Sequence, residues 1–145
     1  MDRKDRRVVT KLEHLRVMIL DDDSFMRHIL TETLNQIGVT DVIVQKDGPS
    51  ALVFILAQEP DDAIDVLLCD LHMPNMDGIE FISKLADSAT EIGLDLGLVI
   101  VSGADNLIIR MANLLADAQG MEVLGVLRKP VAKDDLCAVL EKALD

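Results

Sequence analysis

Asp21, Asp22, Asp70, Ser102 and Lys129 each stand just after a short aliphatic run of this 145-residue chain, the runs being 17–20, 64–69, 96–101 and 123–127. If those runs are parallel strands, the five side chains share one edge of a sheet, beyond the strands' carboxyl ends. Three carboxylates there repel one another unless a cation lies between them. Hard oxygen donors without Cys or His companions suit Mg²⁺, which takes one or two carboxylates and keeps room for waters and phosphate oxygens. A hydroxyl and an ammonium alongside suit the oxygens of a phosphoryl group. Asp23, by contrast, reads as a helix cap.

The elements that must position these residues follow from hydrophobic period. Val17-Met18-Ile19-Leu20 is a buried strand stopping at acid, and the helix after it, to about Gln36, turns Met26, Ile29, Leu30, Leu34 and Ile37 to one face before Gly38. Val42-Ile43-Val44 is the second strand, and Pro49 suits the first turn of a helix with Leu52, Ile55 and Leu56 inward. Ile64 to Cys69 leads through the loop 71–75 and Asp77-Gly78 to a third helix with Ile79, Ile82 and Leu85 inward. Leu96 to Val101, a helix over 105–119, Val123 to Leu127 and a helix over 134–144 complete the chain. Strands alternating with helices five times predict a doubly wound parallel sheet covered on both faces, with right-handed crossovers. Cys69 then faces a helix layer as a buried structural thiol.

Composition sets the outer limits. The length suits one domain, and half of the residues are apolar with only three Phe and no Trp or Tyr, so the core is aliphatic. A net charge of −12 repels phosphate backbones and base-stacking aromatics are lacking, so this domain is expected to bind no nucleic acid. The charge is uneven. Residues 1–15 read as a basic N-terminal extension, solvated or docked on the acidic body, and 16–145 as the domain. Two cysteines without a CxxC suggest neither zinc nor a disulfide framework. With no apolar run long enough to span a bilayer, neither membrane nor secretion is indicated, and a cytoplasmic location is expected.

The pattern resembles the receiver domains of two-component response regulators. An acidic pair follows strand one, Asp70-Leu71-His72-Met73-Pro74-Asn75-Met76-Asp77-Gly78 follows strand three, a small hydroxyl residue follows strand four and Lys129-Pro130 follows strand five. The resemblance covers about residues 16–144 and implies a flavodoxin-like strand order 2-1-3-4-5. It implies Asp70 as the phosphoacceptor, Asp22 as a direct and Asp21 as a water-mediated Mg²⁺ partner, and the backbone carbonyl of His72 as a further ligand. Ser102 and Lys129 would contact the aspartyl phosphate. A sensor histidine kinase or phosphotransfer protein would supply the phosphoryl group. Such a domain catalyses its own phosphorylation and dephosphorylation and has no separate enzymatic output in this chain. The segment 120–130 is also similar to receivers attached to EAL-type cyclic-di-GMP phosphodiesterases. The chain is expected to be either a stand-alone receiver or part of a longer protein.

Two departures from the family pattern matter. Many receivers carry an aromatic residue three positions before the lysine, where this chain has Val126, so the usual aromatic switch is missing. Neither His72 nor Ala104 supplies an amide to orient a hydrolytic water. The fourth helix is unusually apolar, with ten of the fifteen residues from 104 to 118 apolar, and Leu107, Ile108, Ile109, Met111, Leu114 and Leu115 surround much of it. A partner surface for a homodimer or an output domain is expected there. Two rivals stand beside this account. One is a haloacid-dehalogenase-type phosphatase starting at Asp21-Asp22-Asp23-Ser24, with Asp21 as nucleophile. The other is a receiver-like protein-binding module that is never phosphorylated.

Overall fold

The computed structural model describes residues 9–73, 76–92, 95–103 and 106–144, and the expectations placed on residues 1–8, Pro74 and Ala104 lie outside them. Five strands, β1 (Arg16–Leu20), β2 (Asp41–Gln45), β3 (Val66–Asp70), β4 (Gly97–Ser102) and β5 (Glu122–Arg128), form one all-parallel sheet in the order β2-β1-β3-β4-β5. Five α-helices connect and close it: α1 (Ser24–Gln36), α2 (Gly48–Leu56), α3 (Gly78–Ile92), α4 (Asn106–Ala118) and α5 (Lys133–Glu141). Short 3₁₀ turns lie at Leu12–His14 and Pro60–Asp62. The order is the doubly wound one expected; β1, β2 and β5 extend their aliphatic runs by one or two residues, whereas β3 and β4 start later than theirs and run one residue further.

Strand parity divides the core into two layers, because successive strand side chains point to opposite faces. Val17, Ile19, Val66, Leu68, Val99 and Val101 face α1 and α5, where Leu30, Leu34, Leu136 and Leu140 are buried. Met18, Leu20, Leu67, Cys69, Leu98 and Ile100 face α2, α3 and α4. The three central strands are buried on both faces, so they read as unbroken apolar runs rather than alternating ones. Val9 and Leu15, within the stretch expected as an extension, are buried against the α1–α5 layer.

Some inward faces differ from expectation. Leu56, expected inward, is 42% exposed, because the buried stripe of α2 runs through Gly48, Ala51 and Ile55 and Leu56 lies about a quarter-turn away. Phe81 is fully buried in α3 beside Ile82 and Leu85. Among the described residues no helix is long and apolar enough to cross a membrane.

Candidate functional site

The site sits at the carboxyl edge of the sheet and is built by the strand ends. The amide of Asp21 donates to the Gln45 carbonyl at 3.1 Å, which continues the β1–β2 ladder one residue past the strand and keeps Asp21 buried. Its Oδ1 accepts from the Asp23 amide at 2.9 Å and its carbonyl accepts from Arg27 Nη1 at 2.8 Å. Asp23 caps α1 as expected, its Oδ1 accepting from the Phe25 amide at 2.9 Å. Asp22, between them, is exposed.

Asp70 is the last residue of β3 and is 4% exposed. Its Oδ1 accepts from the His72 amide at 3.2 Å. Gly78 explains how the following helix comes so near: a Cβ there would lie 2.6 Å from Leu71 Cα and 2.8 Å from the Asp70 carbonyl oxygen. Only glycine lets the start of α3 press on the backbone that carries Asp70. Asp77 caps that helix through Oδ1, which accepts from the Glu80 amide at 2.8 Å. Ser102 ends β4 fully buried, and its carbonyl accepts from the Lys129 amide at 3.2 Å, tying the ends of β4 and β5 together. The Lys129–Pro130 peptide is cis.

These ends bring the charges together. Lys129 Nζ lies 2.9 Å from Asp21 Oδ2 and 3.5 Å from Asp70 Oδ1. One ligand oxygen from each of Asp21, Asp22 and Asp70 falls within 4.8 Å of the others. Burial, with Asp21 beside it, holds the Asp70 carboxyl above the usual carboxylate range against the opposing pull of the His72 amide and Lys129. Burial lowers the Lys129 ammonium, but the hydrogen bond to Asp21 and the charges of Asp70 and Asp21 outweigh it and leave the value raised. Two buried acids and one exposed one, facing a single lysine, are a hard-oxygen donor set with excess negative charge. That chemistry fits Mg²⁺. No transition-metal donor joins the cluster among the described residues.

The structure thus gathers Asp21, Asp22, Asp70 and Lys129, with Ser102 ending the strand between Asp70 and Lys129. His72 contributes its amide to Asp70, and its side chain is exposed. On α4, Leu107 (62% exposed), Met111 (51%) and Leu114 (64%) form an outward stripe at i, i+4 and i+7, which rules out deep burial for them. Ile108, expected on the same partner surface, instead packs on the core beside buried Ile109, Ala112 and Ala116. Val126 is half-buried and lines a groove of about 490 Å³ between α4 and β5, with Arg110, Leu114, Met121 and Val123. Inspection of the sequence missed Arg27 as the brace of the Asp21 carbonyl. Its place in the first turn of α1, the helix that follows the acidic pair, was the available signal.

Comparison with known proteins agrees with this geometry. Residues 17–141 match the family model of the response regulator receiver domain. The chain is 33% identical over 129 residues to the response regulator receiver protein CpdR of Brucella abortus, covering 89% of this chain and 96% of that protein. It is 32% identical over 130 residues to the response regulator MprA of Mycobacterium ulcerans, covering 90% of this chain and 50% of that protein. The cyclic di-GMP phosphodiesterase RocR of Pseudomonas aeruginosa matches at 26% over 132 residues, 90% of this chain and 32% of that protein. The chain therefore spans about half or less of several curated relatives and nearly all of another. Among solved structures, a response regulator from Colwellia psychrerythraea superposes with a TM-score of 0.71 at 28% identity, covering 89% of this chain and 96% of that one. The receiver domain of the histidine kinase CKI1 from Arabidopsis thaliana, complexed with Mg²⁺, has the same fold with a TM-score of 0.72 at 24% identity, covering 93% and 97%. With a family match over residues 17–141 and a relative of 33% identity covered almost end to end, the chain belongs to the response regulator receiver domains of two-component signalling systems.

Proposed function

We propose that Asp70 is the residue that takes the phosphoryl group, from the phosphohistidine of a sensor histidine kinase or phosphotransfer protein. The observation that carries this is the unequal engagement of the two buried carboxylates. Asp21 has one oxygen on the Asp23 amide and the other on Lys129, whereas the described bonds of Asp70 all fall on Oδ1. Asp70 Oδ2 has no hydrogen bond or ion pair among the described residues, which supports it as the attacking oxygen. The P–O bond to Asp70 forms as the P–N bond of the donor breaks, and the donor imidazole leaves.

Asp21, Asp22 and Asp70 would hold Mg²⁺, with the backbone carbonyl of His72 as a further ligand. The ion would offset charge on the transferred group. Lys129 supplies a second positive charge within reach of Asp70, and Ser102 supplies a hydroxyl at the neighbouring strand end. Asp21 is held by Lys129 and the capping turn, so its role is to position rather than to attack; this disfavours the phosphatase account with Asp21 as nucleophile. The domain's own product is a stored acyl phosphate, and no separate enzymatic output is assigned to this chain. The exposed stripe Leu107–Met111–Leu114 and the Val126 groove form the surface through which the conformational signal of phosphorylation reaches a second copy or an output domain.

The test is intact-protein mass spectrometry after incubation with acetyl phosphate and Mg²⁺. A phosphoryl adduct should form on the wild type and disappear with Asp70→Asn and with EDTA. An adduct that survives Asp70→Asn but not Asp21→Asn would overturn the assignment.

A further inference from the structure

In this chain Val126 stands where an aromatic side chain would couple the site to α4, so that coupling needs another carrier. The β4–β5 pairing shows where to look. Leu98 pairs with Val123 and Val99 with Gly125, so Leu124 is an extra residue in β5. The bulge resets strand parity. Leu124 and Leu127 pack in the α1–α5 layer, while Val123 and Val126 pack in the layer of α4. Arg128, two residues beyond Val126, therefore falls on the α4 side, and its Nη2 donates to Asn106 Oδ1.

That bond closes a ring. Ser102 is paired across the ladder with Arg128, and the Ser102 carbonyl accepts from the Lys129 amide. Arg128 grips Asn106, which opens α4 four residues after Ser102 and immediately precedes Leu107, the first residue of the exposed stripe. A movement of Ser102 toward a phosphoryl group on Asp70 would reach Asn106 through the paired Arg128.

We propose that Arg128 is a positioning residue whose hydrogen bond to Asn106 carries the state of the phosphorylation site from the ends of β4 and β5 into α4. The proposal rests on the reading of Asp70, Ser102 and Lys129 given above. Arg128 is not one of the residues assigned to phosphate or metal above. It acts through the α4 start, and the planar guanidinium makes the contact directional.

The experiment uses the full chain with Mg²⁺ and beryllofluoride as the phosphoryl mimic, reading hydrogen–deuterium exchange over peptides spanning 106–118 and mimic affinity by calorimetry. In the wild type the mimic should change α4 exchange. With Arg128→Ala, and separately with Asn106→Ala, that change should shrink by about threefold or more while mimic affinity stays within about twofold. Asn106→Asp keeps an oxygen acceptor and should keep the response, and the double alanine variant should be no worse than either single one. A bound mimic with a full α4 response in Arg128→Ala would show the bond to be a staple only and overturn the proposal. Loss of the response in Asn106→Asp, or no α4 response in a wild type that binds the mimic, would overturn it as well. A wild type that neither binds the mimic nor gains a phosphoryl group from acetyl phosphate would instead overturn the reading of the site, and the proposal with it.

Discussion

At the amino end of the sheet Asp65 is fully buried, its Oδ2 accepting from the Arg16 amide at 2.9 Å while its own amide donates to the Arg16 carbonyl at 2.9 Å. The Arg16 guanidinium spreads over Gln58, the Asp62 carbonyl and, at 3.7 Å, Asp41. At the carboxyl end three acids share one lysine, and burial beside Asp21 raises the Asp70 carboxyl above the usual carboxylate range. Both ends are acidic and both touch buried strand residues. At one end the Arg16 amide meets one Asp65 oxygen and the guanidinium lies beside Asp41, so those acids are engaged within the fold. At the other the charges are left in excess, so a cation and a phosphoryl group have something to bind. An acid at a sheet edge is thus not informative by itself; its partners decide whether it is mortar or a site.

This contrast can be broken in four places. The largest effect is complete loss of the phosphoryl adduct in Asp70→Asn, in the experiment described above. Asp65→Ala should leave phosphorylation chemistry intact but cost about 2 kcal/mol in denaturant unfolding, since the half-buried Arg16 amide loses its acceptor. Next, Lys129→Ala leaves buried Asp21 without its counter-ion and should cost about 2 kcal/mol in EDTA, most of it recovered when Mg²⁺ is added. A loss that Mg²⁺ does not relieve would mean that the acidic cluster does not hold the ion.

The smallest effect has the opposite sign. Asp70→Asn should stabilise the metal-free protein by about 1 kcal/mol, because it removes a carboxylate that the site disfavours. The linkage runs with it. A carboxyl whose folded value is raised contributes stability that is complete below the unfolded value near 4 and is lost as pH rises through the folded value. The advantage of Asp70→Asn, measured by calorimetry in EDTA, should therefore grow as pH rises and vanish on acidification below about pH 4. If Asp65→Asn were to stabilise as much as Asp70→Asn, the two ends would not differ as described.

Much of this was legible before any coordinates. The runs 17–20, 64–69 and 96–101 read as buried strands because central parallel strands are apolar on both faces. Their common ending in acid or hydroxyl brought Asp21, Asp70 and Ser102 to one edge as soon as the sheet was taken to be parallel. Other features were illegible because they depend on contacts between distant segments. Leu56 looked inward by helical period, but the buried stripe of α2 is centred on Ala51 and Ile55. Ile108 looked outward on an all-round apolar helix, yet it sits at the margin of the core. Gly125 is the only mark of the bulge at Leu124 within the run 123–127, and the apolar pattern does not fix the bulge, although it decides which side of the sheet Val126 and Arg128 face.

The sequence by itself determined the alternation of strands and helices, the fold class, and which residues stand at the strand ends, because hydrophobic period and chain direction are local properties. Only the tertiary structure decided that Lys129 Nζ lies nearer Asp21 at 2.9 Å than Asp70 at 3.5 Å, and that Gly78 lets α3 press on the Asp70 backbone. It alone decided that Arg128 grips the start of α4. Those choices depend on register, bulge and side-chain reach across the sheet, where a shift of one residue or about 1 Å changes which charge meets which.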